Sequence, residues 1–321
     1  MKIAVLDDYQ NAVQDLDCFG LLEGLDVTVF NETYSEQELV EMLANVQALV
    51  LIRERTQITE SLLSKLSNLE VISQTGKVSN HIDVQLCEKY GVKVLEGRGS
   101  PVAPSELCWA LIMAASRHIP SYTSNLANDQ WQSSGSLGLG RTLKGLKLGI
   151  WGYGKIGQRI AQYAKAFEMS VVVWGSQASR DLAKSHGFEA SESKRAFFQQ
   201  VDVLSLHLRL NEVTRGCVTA EDLRSMKSDS LFVNTSRSEL VETDALFNEL
   251  KSNPSKRAAV DVFDCEPATK STEPLLSLPN VTATPHLGYV EQGSYELYFK
   301  IAFENLVAYI SENEALEEAC D

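Results

Sequence analysis

An arginine, a glutamate and a histidine stand at the ends of three successive apolar runs: Arg237 in NTSRSELVE (234–242), Glu266 in DVFDCEP (261–267) and His286 in TPHLGY (284–289). A guanidinium just past a strand forks both oxygens of a carboxylate, which lysine cannot do. A carboxylate bonded to one imidazole nitrogen fixes the tautomer and leaves the other nitrogen to give or take a proton near neutral pH. Singly, each has a bland reading: a surface arginine, a solvated glutamate, a satisfied histidine. Upstream, LGIWGYGKIGQRIA (148–161) holds Gly152-x-Gly154-x-x-Gly157 between a strand and a helix. The first glycine permits the tight turn, the second lets backbone approach a pyrophosphate, and the third lets helix and strand pack closely. Arg237, Glu266 and His286 following such a turn are hard to dismiss together. They spell carboxylate binding and proton transfer beside a dinucleotide held by the turn residues Gly152, Tyr153, Gly154, Lys155, Ile156 and Gly157.

The next strand, VVVW (171–174), runs into GSQASR (175–180), where a carboxylate ordinarily holds the adenosine ribose. Gly175 takes that place. Ser176 offers a hydrogen bond to a 2′-phosphate and Arg180 a charge, if its helix turns it inward; otherwise Arg180 faces solvent. The cofactor expected is therefore NAD or NADP, with neither excluded.

These residues need strands to carry them. The first set reads KIAVL (2–6), VTVF (27–30), ALVLI (48–52), LEVIS (69–73) and VKVL (92–95), with helical patterns SEQELVEMLANV and TESLLSKL between. The second reads LKLGIWG (146–152), VVVWG, VDVLSLHL (201–208), LFVNTS (231–236), AAVDVF (258–263) and VTATPH (281–286). Alternation of short apolar runs with amphipathic segments is the α/β signature, here as two parallel-sheet units. SPVAPSELCWALIMAASRHI (100–119) reads as one long buried helix with Pro104 in its first turn. PSYTSNLANDQWQSSGSLGLG reads as a surface excursion whose Trp131 is either a loop anchor or an oligomer contact. A final helix from about Glu291 to Ser311 is expected to pack back on the first unit, giving boundaries of 1–99 with 290–321 and 100–289.

At 321 residues the chain suits two domains, and 44% hydrophobic with 22% charged residues is ordinary for a globular protein. A formal charge of −14 argues against nucleic acid or an anionic membrane as partner. An anionic substrate must then be drawn by a local cationic pocket. No apolar run approaches the roughly 20 residues that span a bilayer. MKIAVLDDYQ reaches acids too early for a secretion signal. Six cysteines (18, 87, 108, 217, 265, 320) without a CxxC pair fit reduced thiols in a cytoplasm, and no metal site is expected.

GIWGYGKIG, NTSRSELVE, DVFDCEP and TPHLG occur in the order and spacing of the D-isomer-specific 2-hydroxyacid dehydrogenases, a family the chain resembles over nearly its whole length. IRERTQITE (52–60) and DVFDCEPAT (261–269) resemble its phosphoglycerate dehydrogenase branch. The resemblance implies a Rossmann dinucleotide-binding domain inserted in a smaller flavodoxin-like substrate domain, and a homodimer joined through the 100–145 region. It implies Arg237 as carboxylate and carbonyl binder, His286 as acid/base, Glu266 as its partner and Asp261 at the nicotinamide end. It further implies that the loop TGKVSNHID (75–83) cups the substrate carboxylate with backbone N–H groups, Gly76 among them.

Three departures stand out. Lys77, Val78 and Ser79 follow Gly76 where the family often has a second glycine; Lys77 either attracts a substrate anion or lies on the surface, and the same holds for Arg53 and Arg55. The chain ends soon after its last helix, so an appended regulatory domain is not expected. Gly175 stands where NAD-preferring members carry aspartate. The expected activity is hydride transfer between nicotinamide and C2 of a small 2-hydroxy/2-oxo acid, phosphoglycerate dehydrogenase-like or, alternatively, glyoxylate or hydroxypyruvate reduction. Formate dehydrogenases carry glutamine where Glu266 stands. A nicotinamide-sensing interaction protein is the reading from another class, and the retained Arg/Glu/His set argues against it.

Overall fold

A computed structural model describes residues 1–318, and side chains through residue 315. Two compact units form, one from Met1–Ser100 with the chain from Val290 onward and one from Pro101–Tyr289.

The first unit holds β1 (Lys2–Val5), β2 (Asp26–Val29), β3 (Ala48–Leu51), β4 (Val71–Gln74) and β5 (Lys93–Leu95), with helices α1 (Glu36–Met42), α2 (Glu60–Leu63) and α3 (Val84–Lys89). All pairs are parallel in the order β2-β1-β3-β4-β5, so chain order reverses beside β1. Ser35 caps α1 in a reciprocal box with Glu38, and Thr59 and Asp83 cap α2 and α3.

The second unit holds β6 (Lys147–Trp151), β7 (Ser170–Trp174), β8 (Glu189–Ala190), β9 (Val203–Leu206), β10 (Leu231–Asn234), β11 (Arg257–Val260) and β12 (Val281–Ala283). Their order is β12-β11-β10-β9-β6-β7-β8, all parallel, with the reversal between β6 and β9. Around them lie α4 (Val102–Ser116), α5 (Ile119–Leu126), α6 (Lys155–Ala166), α7 (Gln177–Ser185), α8 (Lys194–Gln200), α9 (Ala220–Ser225) and α10 (Ala245–Ser252). Side chains alternate across a strand, so Leu148 and Ile150 feed the cluster around α4 and α6 while Trp151 feeds the one around Phe197 and Phe198. Both faces are covered, hence the unbroken apolar runs in the sequence.

Three elements differ from the sequence reading. The helix expected over 100–119 ends at Ser116, because His118 takes a left-handed conformation (φ 54°) that turns the chain. The segment read as an excursion then begins with α5, whose Pro120 sits in the first turn, where its missing N–H has no intrahelical role. The final helix, α11 (Gln292–Glu318), outruns its expected end at Ser311. Its extension, ENEALEE, is made mostly of good helix formers and needs no apolar partner. Within the first unit α11 buries Phe299 and Phe303, and Ser73 Oγ donates to the Ala302 carbonyl at 2.8 Å.

Candidate active site

The glycine turn meets β6 at the strand's C-terminal end, beside the point where sheet order reverses, which is where open α/β sheets gather ligands. Gly152 (φ 98°) passes so close to β9 that a Cβ would stand 2.4 Å from the His207 carbonyl oxygen. At Gly157 a Cβ would lie 2.2 Å from the Gly152 carbonyl oxygen. At Gly154 it would meet nothing within 4 Å. Two glycines thus serve close packing, and the middle one borders open space at the start of α6. No side chain caps α6, so its first N–H groups stay available to an anion. A dinucleotide pyrophosphate fits this cradle. Lys155 is exposed and Ile156 half-buried against the core. Tyr153 is 3% exposed and its hydroxyl is bonded to His186 Nδ1 at 3.2 Å, so its ring is turned inward and its backbone takes part in the turn.

Gly175 follows β7 directly, and a Cβ there would come 3.8 Å from the Gly152 nitrogen. Residue 175 therefore adjoins the turn. Ser176 caps α7 by accepting from the Ser179 N–H at 3.2 Å and remains exposed. The Arg180 guanidinium lies 4.9 Å over the Trp174 ring and donates to Gln177 Oε1 at 2.8 Å. It is held along this strand end.

Arg237, Glu266 and His286 come after β10, β11 and β12, three neighbours in the sheet. Arg237 is half-buried, with the Asn234 side chain donating to its carbonyl at 2.8 Å. Glu266 Oε2 accepts from His286 Nδ1 at 2.7 Å, while Oε1 accepts from the Phe263 N–H at 3.0 Å. The carboxylate is thus anchored before it grips the ring. An Nδ1–H bonded to carboxylate leaves Nε2 for proton exchange, and the pair is only partly covered, at 24% and 35% side-chain exposure. Tyr289 meets the imidazole edge-on, ring centres 5.7 Å apart.

Asp261, expected at the nicotinamide end, closes β11 beneath the turn that carries His286. It is wholly buried, and its carboxylate accepts from Thr284 Oγ1 at 2.6 Å and from the Leu287 and Gly288 N–H groups at 2.7 and 2.9 Å. Burial raises its carboxyl above the ordinary aspartate range, against the lowering effect of those hydrogen bonds and of His286.

In the first unit, Arg53 follows β3 and Gly76 and Lys77 follow β4. A Cβ at Gly76 would lie 2.0 Å from Arg53 Nη1, so the guanidinium rests on this glycine. Lys77 is paired with Glu96 at 2.7 Å, and Glu96 also accepts from the Val78 N–H at 2.9 Å. Arg55 lies 4.4 Å over the Tyr9 ring and donates to the Asp7 carbonyl at 2.6 Å. Glu96, Tyr9 and Thr284 were not singled out from the sequence; their types are common, and only the fold brings them to these partners.

A sheet with its glycine turn and its Arg, Glu and His on one edge defines a nicotinamide-dinucleotide oxidoreductase. The D-isomer specific 2-hydroxyacid dehydrogenase NAD-binding domain matches residues 109–288, and the chain belongs to that family. It is 63% identical to a phosphoglycerate oxidoreductase from Vibrio cholerae O395, with a TM-score of 0.96 over 97% of this chain and 99% of that one. It is 35% identical to the hydroxypyruvate reductase of Thermotoga maritima, covering 83% of this chain and 85% of that protein. Identity to the D-3-phosphoglycerate dehydrogenase of Methanocaldococcus jannaschii is 32% over 90% of this chain, which spans about half (53%) of that relative.

Proposed function

We propose that the chain interconverts a small D-2-hydroxy acid and its 2-oxo acid, with phosphoglycerate dehydrogenase-like substrates, residues 100–289 binding NAD(H) or NADP(H) and residues 1–99 with 290–321 binding substrate. The observation that carries this reading is the 2.7 Å bond between Glu266 and His286 Nδ1, on strand ends beside the one bearing Arg237. The bound cofactor supplies or takes the hydride at C2. Arg237 forks the substrate carboxylate and polarises the C2 carbonyl. His286 Nε2 gives its proton to the C2 oxygen in reduction and takes it back in oxidation. Glu266 holds the ring in the donating tautomer. In the smaller unit Arg53, Gly76 and Lys77 are assigned to the substrate's anionic groups, Lys77 by exchanging Glu96 for the ligand.

Reduction of hydroxypyruvate or glyoxylate is the second reading, favoured by the Thermotoga maritima relative. A homodimer belongs to the proposal, since Trp131 and Leu139 are 78% and 90% exposed in the 100–145 region. So does a cytoplasmic setting: the described cysteines are free, Cys320 lying outside the described residues, and no described helix is long and apolar enough to cross a membrane. Initial rates on phosphohydroxypyruvate, hydroxypyruvate, glyoxylate and pyruvate, each with NADH and NADPH, test the function. Turnover of at least one is expected; cofactor binding without turnover of any would favour a sensor.

A further inference from the structure

The N-terminal end of the larger sheet carries a second group of cations, away from Arg237 and His286. Arg257 opens β11, Arg141 lies in the segment leading to β6, and Asp229 precedes β10. Glu266 and His286 follow the opposite strand ends, and the four residues of β11 separate its two ends by roughly 10 Å. With His118, Ser136 and Ser255, these residues line a cavity of about 450 Å³, a size typical of small-molecule sites.

Backbone anchors both guanidinium groups. Arg141 Nη2 donates to the Asp202 carbonyl at 3.0 Å and Arg257 Nη2 to the Asp229 carbonyl at 2.9 Å. Each leaves a buried Nε without a partner among the described residues. Burial holds both below the ordinary arginine range, and the Arg141 charge adds to this at Arg257. The acids nearby do not balance them. Asp229 reaches Arg141 at 3.3 Å from a carboxylate 64% exposed, a pair that solvent weakens. Asp202 is engaged by Lys227 and by the Lys147 N–H, both at 2.7 Å. His118 completes the cavity. It is 3% exposed, and its Nε2 is buried without a partner among the described residues. Burial, then the Arg257 and Arg141 charges, hold its imidazole below the ordinary histidine range, against a hydrogen bond to the Leu139 backbone. Buried polar groups left in this way cost free energy until an anion offsets them.

We propose that this cavity is a second binding site, taking a compact oxyanion, either free phosphate or the phosphoryl group of a small acid, on Arg141, Arg257 and His118. Guanidinium forks suit such an anion, and the exposed Ser136 adds a hydroxyl donor. Binding offsets the repulsion among the cations and draws a proton onto His118, whose Nε2 then donates to the anion. Asp229 turns to solvent. The site stands apart from Arg237, Glu266 and His286 and does not rest on the function proposed for them.

His118 reports on the cavity directly. Its ring would be followed by 15N NMR in the full chain and identified by its loss in His118→Asn, since asparagine tolerates the left-handed backbone at φ 54°. Inorganic phosphate, titrated at constant ionic strength against chloride, is expected to raise the His118 midpoint saturably by about one pH unit. Arg257→Gln removes a charge that lowers this midpoint, so the phosphate-free value should rise and the response to phosphate disappear. Ser136→Asp sets a carboxylate at an exposed cavity position and should abolish the response too. That variant keeps the test open if Arg257→Gln does not fold. 3-Phosphoglycerate, run separately, distinguishes the sources. Half-saturation at a roughly tenfold lower concentration than phosphate assigns a phosphorylated acid; an equal or higher concentration assigns free phosphate. A His118 midpoint unmoved by either anion overturns the proposal. So does a shift that survives in both variants, which would be a general ionic effect. A midpoint already high without added anion and insensitive to both would mean that protein groups fill the cavity, and overturns it as well.

Discussion

His286 is the atom-level centre of this reading, and its two bonds define what each substitution should do. His286→Asn removes the exchanging nitrogen and is expected to lower kcat on the order of 10²-fold or more with cofactor affinity nearly unchanged. Near wild-type kcat with chemistry rate-limiting would remove it from proton transfer. Glu266→Gln keeps the shape of the pair while removing the carboxylate that accepts from Nδ1. The protonated ring is the donor in reduction, so kcat for the 2-oxo acid should fall with cofactor affinity nearly unchanged, and a wild-type kcat would remove Glu266 from the pair. Arg237→Lys preserves charge and loses the fork; kcat/KM for the 2-oxo acid is expected to drop strongly, and full activity would mean that charge alone suffices. Arg237, Glu266 and His286 were legible in the sequence because strand ends are readable and these types are chemically marked. The burial of Asp261 and its bonds to the 284–288 turn were not legible, because they are long-range facts.

At the scale of elements, the glycine turn and the end of β7 are proposed to set which dinucleotide fits. A Cβ at Gly175 would lie 3.8 Å from the Gly152 nitrogen, and on the proposed reading an acid there faces the ribose. Gly175→Asp is expected to shift the NADPH/NADH ratio of kcat/KM toward NADH by roughly tenfold, about 1.4 kcal/mol. Gly175 has φ 153°, so the variant's melting must be checked beside its kinetics. An unchanged ratio in a folded enzyme would place residue 175 away from the ribose. The end of β9 supplies a stability test. His207 Nε2 bonds Ser205 Oγ at 2.9 Å, and burial pushes its imidazole down to about 4. The unfolded chain then takes up a proton from about pH 6.5 downward that the folded chain refuses until about pH 4. This contribution to stability is complete above the upper value and lost as pH falls through that window. Denaturant titrations between pH 7 and 4 should show a shallower loss in His207→Gln than in wild type; parallel curves would contradict the burial. Strand cores were readable from apolar runs, but the two-residue β8 carries too few residues for a periodic signal. The α4–α5 break was hidden too, since a left-handed His118 has no mark in composition.

For the whole molecule, a net charge of −14 must coexist with binding of small anions. The arginines that could achieve this, Arg53 and Arg55 in one unit and Arg237 in the other, all follow strand C-termini. Exposed Trp131 and Leu139 lead to an expected native mass of twice the chain at micromolar concentration, and a Trp131→Glu, Leu139→Glu double variant should shift it toward the single chain. A single-chain mass for the wild type would contradict the dimer.

The central claim is hydride delivery to C2 with D stereochemistry, and isotope transfer tests it most directly. Wild-type enzyme would be given the best 2-oxo acid of the panel other than glyoxylate, whose product is achiral, with NADH or NADPH deuterated at the transferable C4 position. The product would be examined by mass spectrometry and chiral chromatography. One deuterium at C2 of the D-2-hydroxy acid is the expected result, with the yield collapsing in His286→Asn. An unlabelled product, or label in the L isomer, would contradict the account.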